Sequence, residues 1–202
     1  MKQFLKKRWL WIAGVVALIA VGIVLWPRQE YEAVPGIPTL TVESPQKLSA
    51  SGTQEFTLDV TISHLGDAPY PAMSMSLAFD PSRLEFLGVG EGNLFISDRE
   101  NTSGQQLPDW NCNIEAANAT GQINIMYLDM TGGRNAFTKE LLAEESNILM
   151  RLRFRLRGSV RNGDVLELCV EDAIFAASEE SQSLAMTTDT LKVKNGRLVI
   201  GE

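Results

Sequence analysis

Phe56-Thr57-Leu58-Asp59-Val60-Thr61-Ile62-Ser63 alternates apolar and polar side chains over its whole length, and Met73-Ser74-Met75-Ser76-Leu77-Ala78-Phe79 does the same with small residues in the second phase. Successive side chains of an extended strand point to opposite faces, so each stretch offers one face to a core and one to solvent. The period is two, and the chain from residue 37 onward is read as sheet.

Further strands are expected at 38–43, 84–89, 108–115, 122–130, 148–157, 165–175 and 197–201. Turn residues separate them: Gly66-Asp67, Asp80-Pro81, Gly90 to Gly92, Gly121, Thr131-Gly132-Gly133, Asn162-Gly163 and Asn195-Gly196. About nine short strands at this spacing read as one antiparallel sandwich, an all-β domain over 37–202. The single helix expected is brief and lies within 138–146 (TKELLAEES).

The strand 148–157 has an unusual wet face. Ile148, Met150, Leu152, Phe154 and Leu156 share one phase, while Arg151, Arg153, Arg155 and Arg157 share the other. Four guanidinium groups in a row suit an anionic polymer. The structural reading pairs them with carboxylates such as Asp59 on a neighbouring strand, since like charges stack cheaply only beside opposite ones.

The first thirty residues differ from the rest. Lys2, Lys6, Lys7 and Arg8 form a basic tail over 1–8, followed by an uncharged run from Trp9 to Trp26. As a helix that run is about 27 Å long, close to the hydrocarbon thickness of a bilayer. Its terminal tryptophans suit the headgroup region, and the basic tail belongs on the cytoplasmic side. Residues 9–26 are therefore read as a transmembrane signal anchor and 27–36 (PRQEYEAVPG) as a short linker, with the later domain extracytoplasmic. A cleaved signal peptide competes, but Val24-Leu25-Trp26-Pro27-Arg28 offers no small-x-small site.

Composition removes several functions. Of the 18 basic and 25 acidic residues, five and two respectively precede Ala33, which leaves 13 against 23 in the remainder, a net charge of −10. Nucleic acid is excluded as a partner on that balance. With one histidine, His64, and two cysteines, Cys112 and Cys169, the chain lacks the four ligands of a structural zinc site, and no metal or cofactor is expected. His64 is read as a surface loop residue, since no Ser-His-Asp arrangement stands out. Asp80, Asp129 and Asp172 each end an expected strand, and two of them sit in ordinary turn contexts, so no pair of catalytic acids is assigned. A sugar-binding sandwich would expose a row of aromatic rings. Trp110 and Tyr127 fall in the core phase, so carbohydrate binding ranks behind protein binding.

Several segments together resemble the cohesin family. Met73 to Val89 (MSMSLAFDPSRLEFLGV) is similar to its strand, aromatic-Asp-Pro turn and following apolar strand; Gly121 to Gly133 (GQINIMYLDMTGG), Asn147 to Arg157, Asp164 to Ala176 and Asn195 to Gly201 resemble later segments in the same order. The resemblance covers 37 to 201. It implies a nine-stranded jelly-roll sandwich, shared with some carbohydrate-binding modules, and a non-catalytic receptor that captures a dockerin module on one flat sheet. Mapped by order, that sheet would comprise 165–175, 70–79, 122–130 and 108–115. Cys112 and Cys169 would then lie on its outer strands, about 14 Å apart and beyond disulfide reach, as free thiols. The face would display Ser74, Ser76 and Ala78; Asn124, Met126 and Leu128; and Asn111 and Asn113, with Trp110, Cys112 and Ile114 turned inward. Many cohesins carry polar and acidic side chains where Ser74, Ser76 and Ala78 stand. Exposed Met126 and Leu128 read as a protein-docking surface; the alternative is cover by 98–107 or a bulge. The function implied is a cell-surface anchoring module for a dockerin-like partner in polysaccharide degradation. A carbohydrate-binding module or a structural subunit of an envelope assembly are the alternatives. Two sequons, Asn101-Thr102-Ser103 and Asn118-Ala119-Thr120, matter only in a glycosylating host.

Overall fold

The computed structural model describes residues 36–45, 48–50, 54–94, 109–142, 147–178 and 185–201. The chain divides into two units, Met1–Glu32 and Ala33–Glu202. The basic tail, the span read over 9–26, almost all of the linker and the first sequon lie outside the described residues. Among those described, no helix is long and apolar enough to cross a membrane.

Each expected strand region is present, and two short strands join them. In chain order they are β1 (Thr39–Val42), β2 (Leu48–Ser49), β3 (Glu55–Ile62), β4 (Ala72–Ala78), β5 (Leu84–Glu91), β6 (Asn111–Cys112), β7 (Gln122–Leu128), β8 (Ile148–Leu156), β9 (Val165–Ala176), β10 (Lys192–Lys194) and β11 (Gly196–Gly201). They form two sheets, ordered β10-β1-β3-β8-β5 and β2-β11-β9-β4-β7-β6. The expectation of nine purely antiparallel strands is corrected: β1 pairs with β10, and β2 with β11, in parallel. Strands of two or three residues are too short to carry a period-two signal.

The inward phases meet in one core. Leu58, Val60 and Ile62 of β3, Met73, Met75 and Leu77 of β4, Ile123, Ile125 and Tyr127 of β7, and Leu152, Phe154 and Leu156 of β8 are all buried. Two aromatic groups anchor it. Phe154 meets Phe56, Phe79 and Phe86 at centroid distances of 5.8, 5.6 and 5.4 Å. Phe137 meets Tyr127 at 5.2 Å, Trp110 at 6.0 Å and Phe175 at 6.1 Å.

The helical content falls where alternation suggested a strand. Expected strand 108–115 is paired only at Asn111 and Cys112. Asn113 then turns its side chain back to accept a hydrogen bond from the Ala116 amide at 2.9 Å, and α1 (Ile114–Thr120) follows. Asn113 is thus a helix cap and not a residue of the sheet face. Ile114, expected in the core, is 41% exposed, and Ala117 is the buried residue of the helix. Gly121 ends α1 with φ +76° and a 2.8 Å bond from its amide to Ala117 O. A Cβ there would sit 2.7 Å from Phe79 O, so both conformation and space call for glycine. Within 138–146 the described residues hold only a 3-10 turn, Lys139–Leu141.

Asn118 closes the edge of the first sheet. Its side chain accepts from the Phe86 amide at 2.8 Å and donates to the Phe86 carbonyl at 2.8 Å, the two bonds that a neighbouring antiparallel strand would make. A further bond runs to Ile114 O at 3.0 Å. The amide nitrogen of the second sequon is therefore in use.

Candidate functional site

The outer face of the six-stranded sheet is built on β4, whose neighbours β7 and β9 align with it in rows. Ala72 lies between Leu128 and Ala176, Ser74 between Met126 and Ile174, Ser76 between Asn124 and Asp172, and Ala78 between Gln122 and Cys169. Asn111 extends the Met126 row onto β6. Seven of the eight residues expected on this face are brought together on it; Asn113 is the exception. The four expected strands are contiguous as β9-β4-β7-β6, but β11 and β2 lie beyond β9, which is therefore an interior strand.

The register explains the chemistry of the face. Ala72, Ser74, Ser76 and Ala78 are half-buried because they are small and sit between taller neighbours. Met126 is 51% exposed and Leu128 54%, with Met130 beyond them at 83%. Two rows thus carry the exposed apolar groups. In the other two, the Ser76 hydroxyl donates to Asn124 Oδ1 at 2.7 Å, and the Gln122 amide reaches Glu171 Oε2 at 2.7 Å across Ala78.

A β-bulge gives β9 a set of outward groups that the sequence reading missed. The pairing with β4 shifts between Ser76 and Leu77, so that Leu77 faces Val170 while Ser76 faces Asp172. Glu171 is the extra residue. Strict alternation from Leu166 and Leu168 would have carried Asp172 inward; the bulge turns it out and sends Ala173 and Phe175 into the core. Asp172 thus lies inside a strand, not at the end of one.

Neither thiol is activated. Burial pushes the Cys112 thiol up against the pull of a Val89 backbone hydrogen bond, and burial followed by the charges of Glu167 and Glu171 pushes Cys169 up. Both cysteines are free. At the end of β7, Asp129 Oδ1 accepts from the Thr131 amide at 2.7 Å and its hydroxyl at 2.5 Å, and Oδ2 from the Asn135 amide at 3.2 Å. Partial burial pushes this carboxyl up, but the hydrogen bonds from Thr131, Asn135 and Gly133 together outweigh it and leave the pKa lowered. Tyr127 donates to Asn135 O at 2.9 Å, and its phenol is pushed up to about 12 by burial and then by Asp129.

Candidates for catalysis are occupied with turns. Asp80 holds the Ser82 amide and hydroxyl at 2.9 and 2.6 Å, and Asp129 organises the loop just described. His64 lies in the loop after β3, half-buried, and its Nδ1 is 2.9 Å from the Ser63 hydroxyl, which accepts a hydrogen bond from the Thr39 amide. Among the described residues no three His, Cys, Asp or Glu side chains are grouped to hold a metal. The exposed large apolar side chains among them are Ile114, Met126, Leu128, Met130, Val165 and Val199, none of them aromatic.

The opposite face is ionic. On β8, Arg151 pairs with Asp59 at 3.1 Å, and Arg155 pairs with Glu55 and, at 3.1 Å, with Glu85. Arg157 lies beyond the end of β8 and donates to Leu84 O at 3.2 Å, so the expected row of four arginines is a row of three.

Two stacked sheets define a β-sandwich, and solved structures place it more closely. The third cohesin of ScaC from Acetivibrio cellulolyticus, solved with the ScaB dockerin, matches with a TM-score of 0.59 and 12% identity over 82% of this chain and 100% of that one. The Coh-OlpC-Doc435 complex of Clostridium thermocellum matches with a TM-score of 0.58 and 16% identity, over 85% and 98%. CaCohA2 from Clostridium acetobutylicum matches with a TM-score of 0.52 and 18% identity, over 82% and 91%. The chain has the cohesin fold. No protein-family model and no curated protein matches it.

Proposed function

We propose that this chain is a non-catalytic receptor or anchoring module that binds a partner protein, dockerin-like in kind, on the outer face of β9-β4-β7-β6. The observation that carries the reading is the pair Met126 and Leu128, each about half exposed beside the small Ser74 and Ala72 of β4. A soluble domain rarely leaves contiguous apolar surface on a sheet without a use for it. Two of the solved structures that share the fold were determined with a dockerin, which supports a protein as the occupant.

Residues 9–26 hold the module at the outer side of a cell membrane in this proposal, with the domain beginning within a short linker of the bilayer. The partner then belongs to a secreted, polysaccharide-degrading system. The test is a titration of the full chain with a panel of dockerin modules, alongside insoluble polysaccharides. We expect a protein ligand whose affinity falls at least about a hundredfold in Met126→Lys/Leu128→Lys. Retention on polysaccharide through an exposed aromatic side chain points to a carbohydrate-binding module. Neither activity, with co-purification of other membrane proteins, points to a structural subunit.

A further inference from the structure

The apolar rows account for half of the face, and the other half has a centre of its own. Asp172 sits half-buried in the row of Ser76 and Asn124, between the Ile174 row and the Cys169 row. The nearest small donor, the Ser76 hydroxyl, is turned away from it to Asn124 Oδ1 at 2.7 Å. The Gln122 amide, one row further along β7, is taken by Glu171 at 2.7 Å. Among the described residues the Asp172 carboxylate receives no hydrogen bond and forms no ion pair, whereas the arginine-flanked Asp59 on the opposite sheet does.

A partner that covered this face would strip water from that carboxylate. A desolvated, unpaired charge is costly, so the partner has to supply the counter-charge. Glu167 and Glu171 lie on the same strand, and the chain beyond residue 32 has a net charge of −10, so the field drawing a cation toward this end is cooperative. Asp172 on β9 and Met126 on β7 lie one row apart, about 7 Å along the strands, and two strand spacings apart, about 9.6 Å across them, so about 12 Å separates them.

We infer that the partner is a protein segment that sets an arginine or lysine about 12 Å from an apolar side chain, the cation meeting Asp172 and the apolar group meeting Met126 and Leu128. This rests on the docking face proposed above. It fixes the polarity with which the partner lies on the sheet, because the reversed orientation would bury Asp172 against apolar atoms.

The experiment is a displayed library of randomised peptides selected on the immobilised full chain, with counter-selection on Met126→Lys/Leu128→Lys. Winning sequences should be enriched in Arg or Lys at a fixed distance from an apolar residue. Their binding should weaken about tenfold or more in the near-isosteric Asp172→Asn, and more in Asp172→Lys, while a charge-swapped peptide recovers affinity for the latter. Affinity should also fall with added salt. Binders lost in the Met126→Lys/Leu128→Lys chain but indifferent to Asp172→Asn overturn this inference and leave the docking face standing. Binders indifferent to both sets of substitutions, or no binder sensitive to Met126 and Leu128, overturn the docking face and this inference with it.

Discussion

The two outer faces of the sandwich are made from the same alternation and end as opposites. On β3-β8-β5, the long outward side chains find partners inside the fold, as Arg151 with Asp59 and Arg155 with Glu55 and Glu85 do. On β9-β4-β7, the central strand contributes only Ala72, Ser74, Ser76 and Ala78, so the taller Met126, Leu128 and Asp172 on either side have nothing within the sheet to engage. A face that completes its own contacts is finished as a surface. One that leaves apolar groups and a carboxylate open across a sheet is suited to another molecule.

Replacing Met126 and Leu128 by lysine is expected to lower partner affinity by at least about a hundredfold, while changing stability by less than about 0.5 kcal/mol. Calorimetric titration beside thermal unfolding separates the two effects, and a large loss of stability would dissolve the contrast between the faces. Asn118→Ala removes both bonds to the Phe86 backbone and should cost about 1–3 kcal/mol in denaturant unfolding. The same side chain predicts that in a glycosylating host the folded domain carries no glycan at Asn118, which peptide mass mapping checks.

The phenol of Tyr127 gives a pH signature beneath the apolar face. An unfolded tyrosine ionises near 10, and in the fold this one is held to about 12. The native state therefore keeps its proton longer, and the stability this contributes is complete below pH 10 and lost as pH rises from 10 through about 12. Unfolding measured across that window should show the decline, and Tyr127→Phe should reduce it. The smallest effect is expected on the ionic face. Arg151→Met should change stability by less than about 1 kcal/mol, since exposed ion pairs contribute little, and should leave partner binding unaltered.

The phases of 73–79 and 122–128 were readable because neither strand is interrupted, and the structure keeps Ser74, Ser76, Ala78, Asn124, Met126 and Leu128 on one side. Around residue 113 the same rule misled. Trp110-Asn111-Cys112-Asn113-Ile114 alternates like a strand, yet Asn113 caps a helix whose Ala116, Ala117 and Ala119 favour it. A cap residue, an alanine-rich turn and Gly121 were the available signal. The bulge at Glu171 left no such trace. It depends on how β9 meets β4, a tertiary fact, and it decides whether Asp172 lies in the core or on the face. The short parallel strands β2 and β10 are likewise consequences of packing and not of local pattern.

Whether the β9-β4-β7-β6 face grips a protein is read out by amide chemical-shift mapping of the labelled chain with a bound partner. Perturbations should concentrate at 72–78, 122–128 and 169–176, with β3 and β8 silent. Shifts centred on Arg151, Arg153 and Arg155 instead would contradict it.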